Sequence, residues 1–215
     1  MSFTHLETKF LFGGAISLDL PAEVIDASDL RQIPDNQEVF LFPDSDTSIS
    51  LEVLELVTEG LAKTDPWEAA KFHFGSLAHD NSSLESTILT NPPSDLISFA
   101  PQSTDHPSTP IPVSLMGTQR IHKFSYNPTG GSRPGHESDM PDDVYIFLAL
   151  WRVWLEDVSK EGKAKKKADV VLSVNVNQSA KGQSGERERD RVGQWFTKTM
   201  ESLQIIDYGL FGDAE

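Results

Sequence analysis

Val144-Tyr145-Ile146-Phe147-Leu148-Ala149-Leu150-Trp151-Arg152-Val153-Trp154-Leu155 is a run of twelve residues with a single charge, Arg152. It is too short, and broken by that arginine, to span a bilayer. Rich in β-branched and aromatic residues, it predicts a central strand of a sheet. The run Val170-Val171-Leu172-Ser173-Val174-Asn175-Val176 predicts a second central strand, reached through a connector over 156–169.

Working outward, residues 12–20 place Ile16, Leu18 and Leu20 on one side and Ser17 and Asp19 on the other, the period-two pattern of a strand that Pro21 ends. Residues 26–30 read as one helical turn with Asp26 or Ser28 as its cap. Residues 38–42 and 49–56 read as a hairpin around Pro43-Asp44-Ser45-Asp46. Asp65-Pro66-Trp67-Glu68 is a helix start, with cap, proline and first-turn carboxylate in order, and Trp67, Ala70, Phe74 and Leu77 continue it at helical spacing. A strand over 86–89, a long Pro/Ser/Thr loop over 91–112, an uneven strand over 113–126 and a Gly/Pro loop over 127–142 follow. The last helix is predicted over 187–205, with Val192, Trp195, Phe196, Met200 and Leu203 on one stripe. Many strands and few helices predict an α+β fold with a mostly antiparallel sheet, built as one domain over 1–215.

Composition narrows the function. The 215 residues carry a net charge of −15, which disfavours a nucleic-acid binder, since that needs a basic face. With no cysteine, disulfides, thiol catalysis and cysteine-ligated zinc are excluded. The opening residues hold no basic-then-apolar leader, so no secretory signal is expected. The charge is lopsided: residues 1–60 hold twelve Asp and Glu against Lys9 and Arg31. A field of this kind steers a cationic partner.

The densest part is Asp26-Ala27-Ser28-Asp29-Leu30-Arg31-Gln32-Ile33-Pro34-Asp35-Asn36-Gln37-Glu38-Val39-Phe40. Asp35 and Glu38, three apart beside a proline at a strand entry, have two readings: a carboxylate pair that receives Lys or Arg from a partner, or a solvated turn in which Asp35 caps the backbone. Arg31 is either an internal counter-ion for these carboxylates or an ordinary surface charge.

Other candidates carry less. Gly13-Gly14 lacks the remainder of any phosphate-binding pattern and reads as glycines that let a strand bend or meet a close neighbour, so no nucleotide cofactor is expected. His73 and His79 are six apart on different helix faces and cannot share a metal as an i, i+4 pair would. Lys160, Lys163, Lys165, Lys166 and Lys167 form either an import signal or second docking patch, or the solvated tip of an insertion. Trp151 and Trp154 read as core.

The runs Leu11-Phe12-Gly13-Gly14-Ala15-Ile16, Val24-Ile25-Asp26-Ala27-Ser28-Asp29-Leu30-Arg31 and Ile33-Pro34-Asp35-Asn36-Gln37-Glu38-Val39-Phe40 together resemble the Ran guanine nucleotide release factors, small eukaryotic proteins of the Mog type. Weaker echoes occur at Trp67 to Phe74, Ala149-Leu150-Trp151-Arg152, Asp169 to Val176 and Ile206-Asp207-Tyr208-Gly209-Leu210-Phe211, so the likeness spans nearly the whole chain. It implies an antiparallel sheet of about six strands with helices on both faces, a three-layer α/β/α sandwich like that of the PsbP-type photosystem II proteins. It implies binding to the GTPase Ran, guanine nucleotide release and support of nuclear import, with residence in nucleus and cytoplasm. Asp35 and Glu38 match the acidic site implicated in Ran binding, and Asp26 and Asp29 match the same face. No catalytic residue, cofactor or metal is implied, nor a membrane or nucleic-acid partner, and a monomer is expected. Two rivals are an adaptor that binds Ran without releasing nucleotide and a small hydrolase or ligand-binding enzyme on the same scaffold. A deep cleft lined by His73 or His122 with carboxylates would favour the enzyme.

Overall fold

The central apolar run lies in a fifteen-residue strand, Asp142–Glu156, paired antiparallel along Lys165–Asn177. The computed structural model describes residues 4–94, 99–122, 131–156, 165–180 and 184–214. In chain order the strands are β1 (Leu6–Leu11), β2 (Ile16–Pro21), β3 (Ile25–Asp26), β4 (Gln37–Leu41), β5 (Ser48–Leu54), β6 (Glu85–Ile88), β7 (Gln102–Ser103), β8 (Val113–Ile121), β9 (Asp142–Glu156), β10 (Lys165–Asn177), β11 (Gln204–Ile205) and β12 (Asp213–Ala214). The helices are α1 (Pro66–Asp80) and α2 (Ser184–Ser202).

The main sheet runs β3-β4-β5-β10-β9-β8-β6, antiparallel at each step, with β12 beside β10 and the short β7 parallel to β9. Nine strands among the described residues replace the expected six. The surplus comes from two-residue strands, β3, β7 and β12, which leave no periodicity to read. A separate sheet, β1-β2-β11, packs with α2 on one face.

Successive residues of β9 alternate between two cores. Phe147, Ala149, Trp151, Val153 and Leu155 pack with Trp195 and Phe196 of α2 and with Ile16, Leu18 and Leu20 of β2. Ile146, Leu148 and Leu150 pack with Trp67, Ala70 and Phe74 of α1. The strand lacks a polar side because both of its faces are covered, by different helices. Asp65 starts α1 as expected: its Oδ1 accepts from the N–H of Trp67 at 2.8 Å and of Glu68 at 3.4 Å, with Pro66 first in the helix.

Some boundaries differ from the sequence expectation. Residues 12–20 are not one strand: Phe12–Gly14 is a tight turn closing the β1–β2 hairpin. The final helix starts at Ser184 and stops at Ser202, after which Gln204–Ile205 pairs with β2, so Leu203 and Ile205 are buried from a non-helical segment. The strand expected over 113–126 ends at Ile121; residues 123–130, with the start of the expected 127–142 loop, lie outside the described residues. Lys160 and Lys163 lie outside them too, while Lys165–Lys167 open β10 and are not a loop tip. Lys166 Nζ donates to the carbonyl of Phe211 at 2.7 Å, and Lys167 Nζ sits 4.8 Å from the centre of the Trp154 ring. Among the described residues, no helix is long and apolar enough to cross a membrane.

Candidate functional site

The acidic stretch forms the loop between β3 and β4. Ile25 and Asp26 pair with Leu41 and Phe40, which sets where the loop leaves the sheet. Asp26 then caps a single 3-10 turn, Ala27–Asp29, its Oδ1 accepting from Ser28 N–H at 2.8 Å. Ala27 is buried and its carbonyl accepts from the N–H of both Leu30 and Arg31 at 3.0 Å. That anchor turns Asp29, Leu30 and Arg31 outward; Leu30 is 66% exposed. The loop closes on a second turn, in which Gln37 N–H donates to the Pro34 carbonyl at 2.9 Å, and Val53 N–H to the Asn36 carbonyl at 2.9 Å. Asp35 stands at the first of the turn's two central positions and is exposed.

The expected carboxylates therefore have different fates. Among the described residues, Asp35 and Asp29 make no side-chain hydrogen bond or ion pair and face solvent. Asp26 is used by its own turn. Glu38 is half-buried, and its Oε1 accepts from Phe12 N–H at 2.6 Å, across from the β1–β2 hairpin. Arg31 is exposed and forms no ion pair among the described residues, so the counter-ion expectation is corrected: the turn geometry, not a cation, holds the loop. Beside it, Gln37 hydrogen-bonds Glu52 on β5. Burial raises the Glu52 carboxyl above its ordinary value of 4.5, with Asp80 adding to the rise while Gln37 and His73 oppose it.

Two features of the neighbourhood were not anticipated. One is the link from Glu38 to Phe12, whose only sequence trace is the Gly13-Gly14 pair that follows. The other is a buried ionic node behind the site. Asp169 accepts from Arg152 Nε at 2.9 Å, lies 2.9 Å from His73 Nε2 and accepts from Val57 N–H at 3.0 Å. His73 is thus a satisfied core residue.

Of the two imidazoles named for an enzyme cleft, His73 is closed within the buried node and His122 lines a cavity only at the surface. His122 borders a surface cavity of ≈ 240 Å³ with Ser132, Arg133, His136, Asp139 and Asp142, where His136 Nδ1 is 2.9 Å from Asp139 and Ser132 bonds neither ring. A cavity of ≈ 460 Å³ between the β4–β5 turn and α2 holds Asp44, Asp46 and Glu188 and no histidine. Among the described residues no group of three or more His, Asp or Glu is arranged to hold a metal.

Comparison with known proteins adds to this geometry. Residues 9–177 match the family model described as Ran-interacting Mog1 protein. The chain is 28% identical over 212 residues to a Danio rerio protein named Ran guanine nucleotide release factor, covering 94% of this chain and 98% of that one. It is 37% identical over 167 residues to the nuclear import protein mog1 of Schizosaccharomyces pombe, covering 77% and 74%. The crystal structure of the Saccharomyces cerevisiae Ran-binding protein Mog1p superposes with a TM-score of 0.62 at 23% identity, covering 97% of this chain and all of that one, and so supports the fold. With the family model matched across most of its length, this chain belongs to the Mog1 family.

Proposed function

We propose that this chain binds a Ran-type small GTPase and promotes release of its guanine nucleotide in support of nuclear protein import. The observation that carries the reading is Asp35: a carboxylate set outward by a hydrogen-bonded turn, with no partner among the described residues, in a chain whose relatives are named for Ran and for import. Asp35 is the direct charge contact, with Asp29 and Arg31 exposed beside it, Asp26 shaping the loop and Glu38 at its inner margin. The layers are those of an α/β/α sandwich of the PsbP kind. The working form is a monomer that moves between nucleus and cytoplasm, with no membrane or nucleic-acid partner.

The action is binding, not covalent chemistry. A partner that speeds nucleotide loss must bind the emptied or loosened GTPase better than the loaded one. Nucleotide then weakens the complex by the same factor, by linkage. Asp35 meets this requirement if the basic groups it pairs with are those that nucleotide phosphate otherwise occupies.

The test is affinity of the parent and of Asp35→Lys for Ran loaded with GTP, loaded with GDP and stripped of nucleotide, with circular dichroism as the fold control. Tightest binding to the stripped form is expected, and Asp35→Lys should lose about 2–5 kcal/mol if the residue is buried in the complex. Equal affinity for the three forms would reduce the protein to an adaptor. Release of labelled GDP and GTP checks that distinction directly.

A further inference from the structure

Phe12, Gly13 and Gly14 have φ of 50°, 65° and 97°, three successive residues in the left-handed region. For the two glycines this is free of steric cost. For Phe12 it is not, and a bulky residue stays there only where its surroundings over-determine it. One side of the turn is fixed to the end of the chain: the Ala15 carbonyl accepts from Ile206 N–H at 2.8 Å and Asp207 N–H at 3.1 Å. The other side is fixed by Glu38, whose Oε1 takes the Phe12 N–H at 2.6 Å. Glu38 belongs to β4 of the main sheet, whereas the turn belongs to the β1-β2-β11 sheet. This bond therefore ties the two sheets together, three residues from Asp35 along the chain. The apex of the turn faces open space, since a Cβ built on Gly13 or Gly14 meets no atom within 4 Å.

We propose that Glu38 is a positioning residue: by accepting the Phe12 N–H it holds the Phe12–Gly14 turn against the start of β4, three residues after Asp35, and the exposed apex of that turn forms the second part of the GTPase-docking face. This rests on the GTPase-binding reading given above. The partner then meets one carboxylate, Asp35, and one segment of bare backbone that an acidic side chain keeps in place. Glu38 itself acts through its acceptor oxygen, not by offering its charge to the partner.

The two roles separate on substitution. Glu38→Gln keeps a carbonyl oxygen that can take the Phe12 N–H but removes the charge. Glu38→Ala removes both. Affinity for nucleotide-stripped Ran should stay within about threefold of the parent in Glu38→Gln and fall about tenfold or more in Glu38→Ala. Amide exchange at Phe12 should quicken in Glu38→Ala and stay near the parent rate in Glu38→Gln, a readout that reports the strut without any partner. Gly13→Asn supplies an independent arm: asparagine tolerates the left-handed region, its side chain enters open space, and it should weaken binding by about tenfold with the fold unchanged. Equal losses in Glu38→Gln and Glu38→Ala would overturn the positioning role, and unchanged binding in Gly13→Asn would remove the apex from the interface. If Asp35→Lys also binds as well as the parent, the GTPase-docking reading fails. If Asp35→Lys loses affinity while the Glu38 variants behave alike, only the inference about Glu38 fails.

Discussion

Arg152 shows what a charge needs in order to sit inside a strand. It is 4% exposed, with Nε on Asp169 and Nη2 on the Val57 carbonyl at 2.6 Å, and Nη1 directed at the Ala62 carbonyl. Asp169 takes the Val57 N–H, so Val57 is gripped through both of its backbone groups and the segment leading to α1 is pinned to the sheet. Removing one partner of such a pair leaves the other charge buried and unmatched. Arg152→Met should therefore cost about 3–5 kcal/mol, measured by urea unfolding. Glu52 gives the opposite case. Its carboxyl is raised mainly by burial, so the folded state holds that proton to a higher pH than the unfolded chain does. Stability from this group is then highest below the ordinary value of 4.5 and falls as pH rises through the folded value. Glu52→Gln should raise Tm at pH 7, and the gain should vanish toward pH 4.5; a gain independent of pH would contradict this account. Neither node was legible from the sequence. The side-chain partners of Asp169 are 17 and 96 residues away, and no local spacing marks them. The acidic loop was legible because its turn chemistry, Asp26 before Ala27-Ser28-Asp29 and Pro34 before Asp35-Asn36, acts within a few residues.

At the scale of elements, helix α1 meets the sheet at Gly117 of β8. A Cβ placed there would lie 2.4 Å from Phe74 Cζ and 2.5 Å from the Thr87 carbonyl oxygen. The ring has some freedom, but the β6 backbone has little. Gly117→Ala should thus push α1 and β6 away from β8 and lower stability by about 1–3 kcal/mol, read as a shift in the urea midpoint without loss of the fold. The same contrast of local and distant causes explains which elements were readable. Strand β9 announces itself because both faces are apolar over a long run, β10 by the alternation of Val170, Leu172, Val174 and Val176, and α1 because its cap, proline and stripe coincide. β1 was missed because Leu6-Glu7-Thr8-Lys9-Phe10-Leu11 breaks alternation, with Phe10 69% exposed and Leu11 buried. β11 was absorbed into the preceding helix because Leu203 and Ile205 extend an apolar pattern that fits either form. The turn at Phe12–Gly14 was read as strand because its conformation depends on Glu38, twenty-six residues further on.

The whole molecule carries −15, with twelve acidic residues against two basic ones in residues 1–60, the part that supplies β1 to β5 and the candidate docking loop. Basic residues are not absent from that end of the sheet. Lys166 and Lys167 lie at the start of β10, which pairs with β5 near the loop, but Lys166 bonds the Phe211 carbonyl and Lys167 lies over Trp154. Asp29 and Asp35 face outward there, with the exposed Arg31 between them in sequence, and their field extends beyond contact range only as far as salt permits, about 8 Å at physiological ionic strength. Rim charges act chiefly on the rate of encounter, whereas buried contacts act on the lifetime of the complex. The association rate with Ran should therefore fall about tenfold or more between 10 and 300 mM salt, while the dissociation rate changes little. Asp29→Asn should flatten that dependence and leave the lifetime close to that of the parent, as expected for a charge at the rim. Asp35→Asn should flatten it and also shorten the lifetime, since this residue is the one proposed to make the contact itself. Stopped-flow traces across a salt series resolve both quantities in one experiment. An association rate indifferent to salt would show that the concentration of negative charge in the first quarter of the chain does not guide the GTPase onto it.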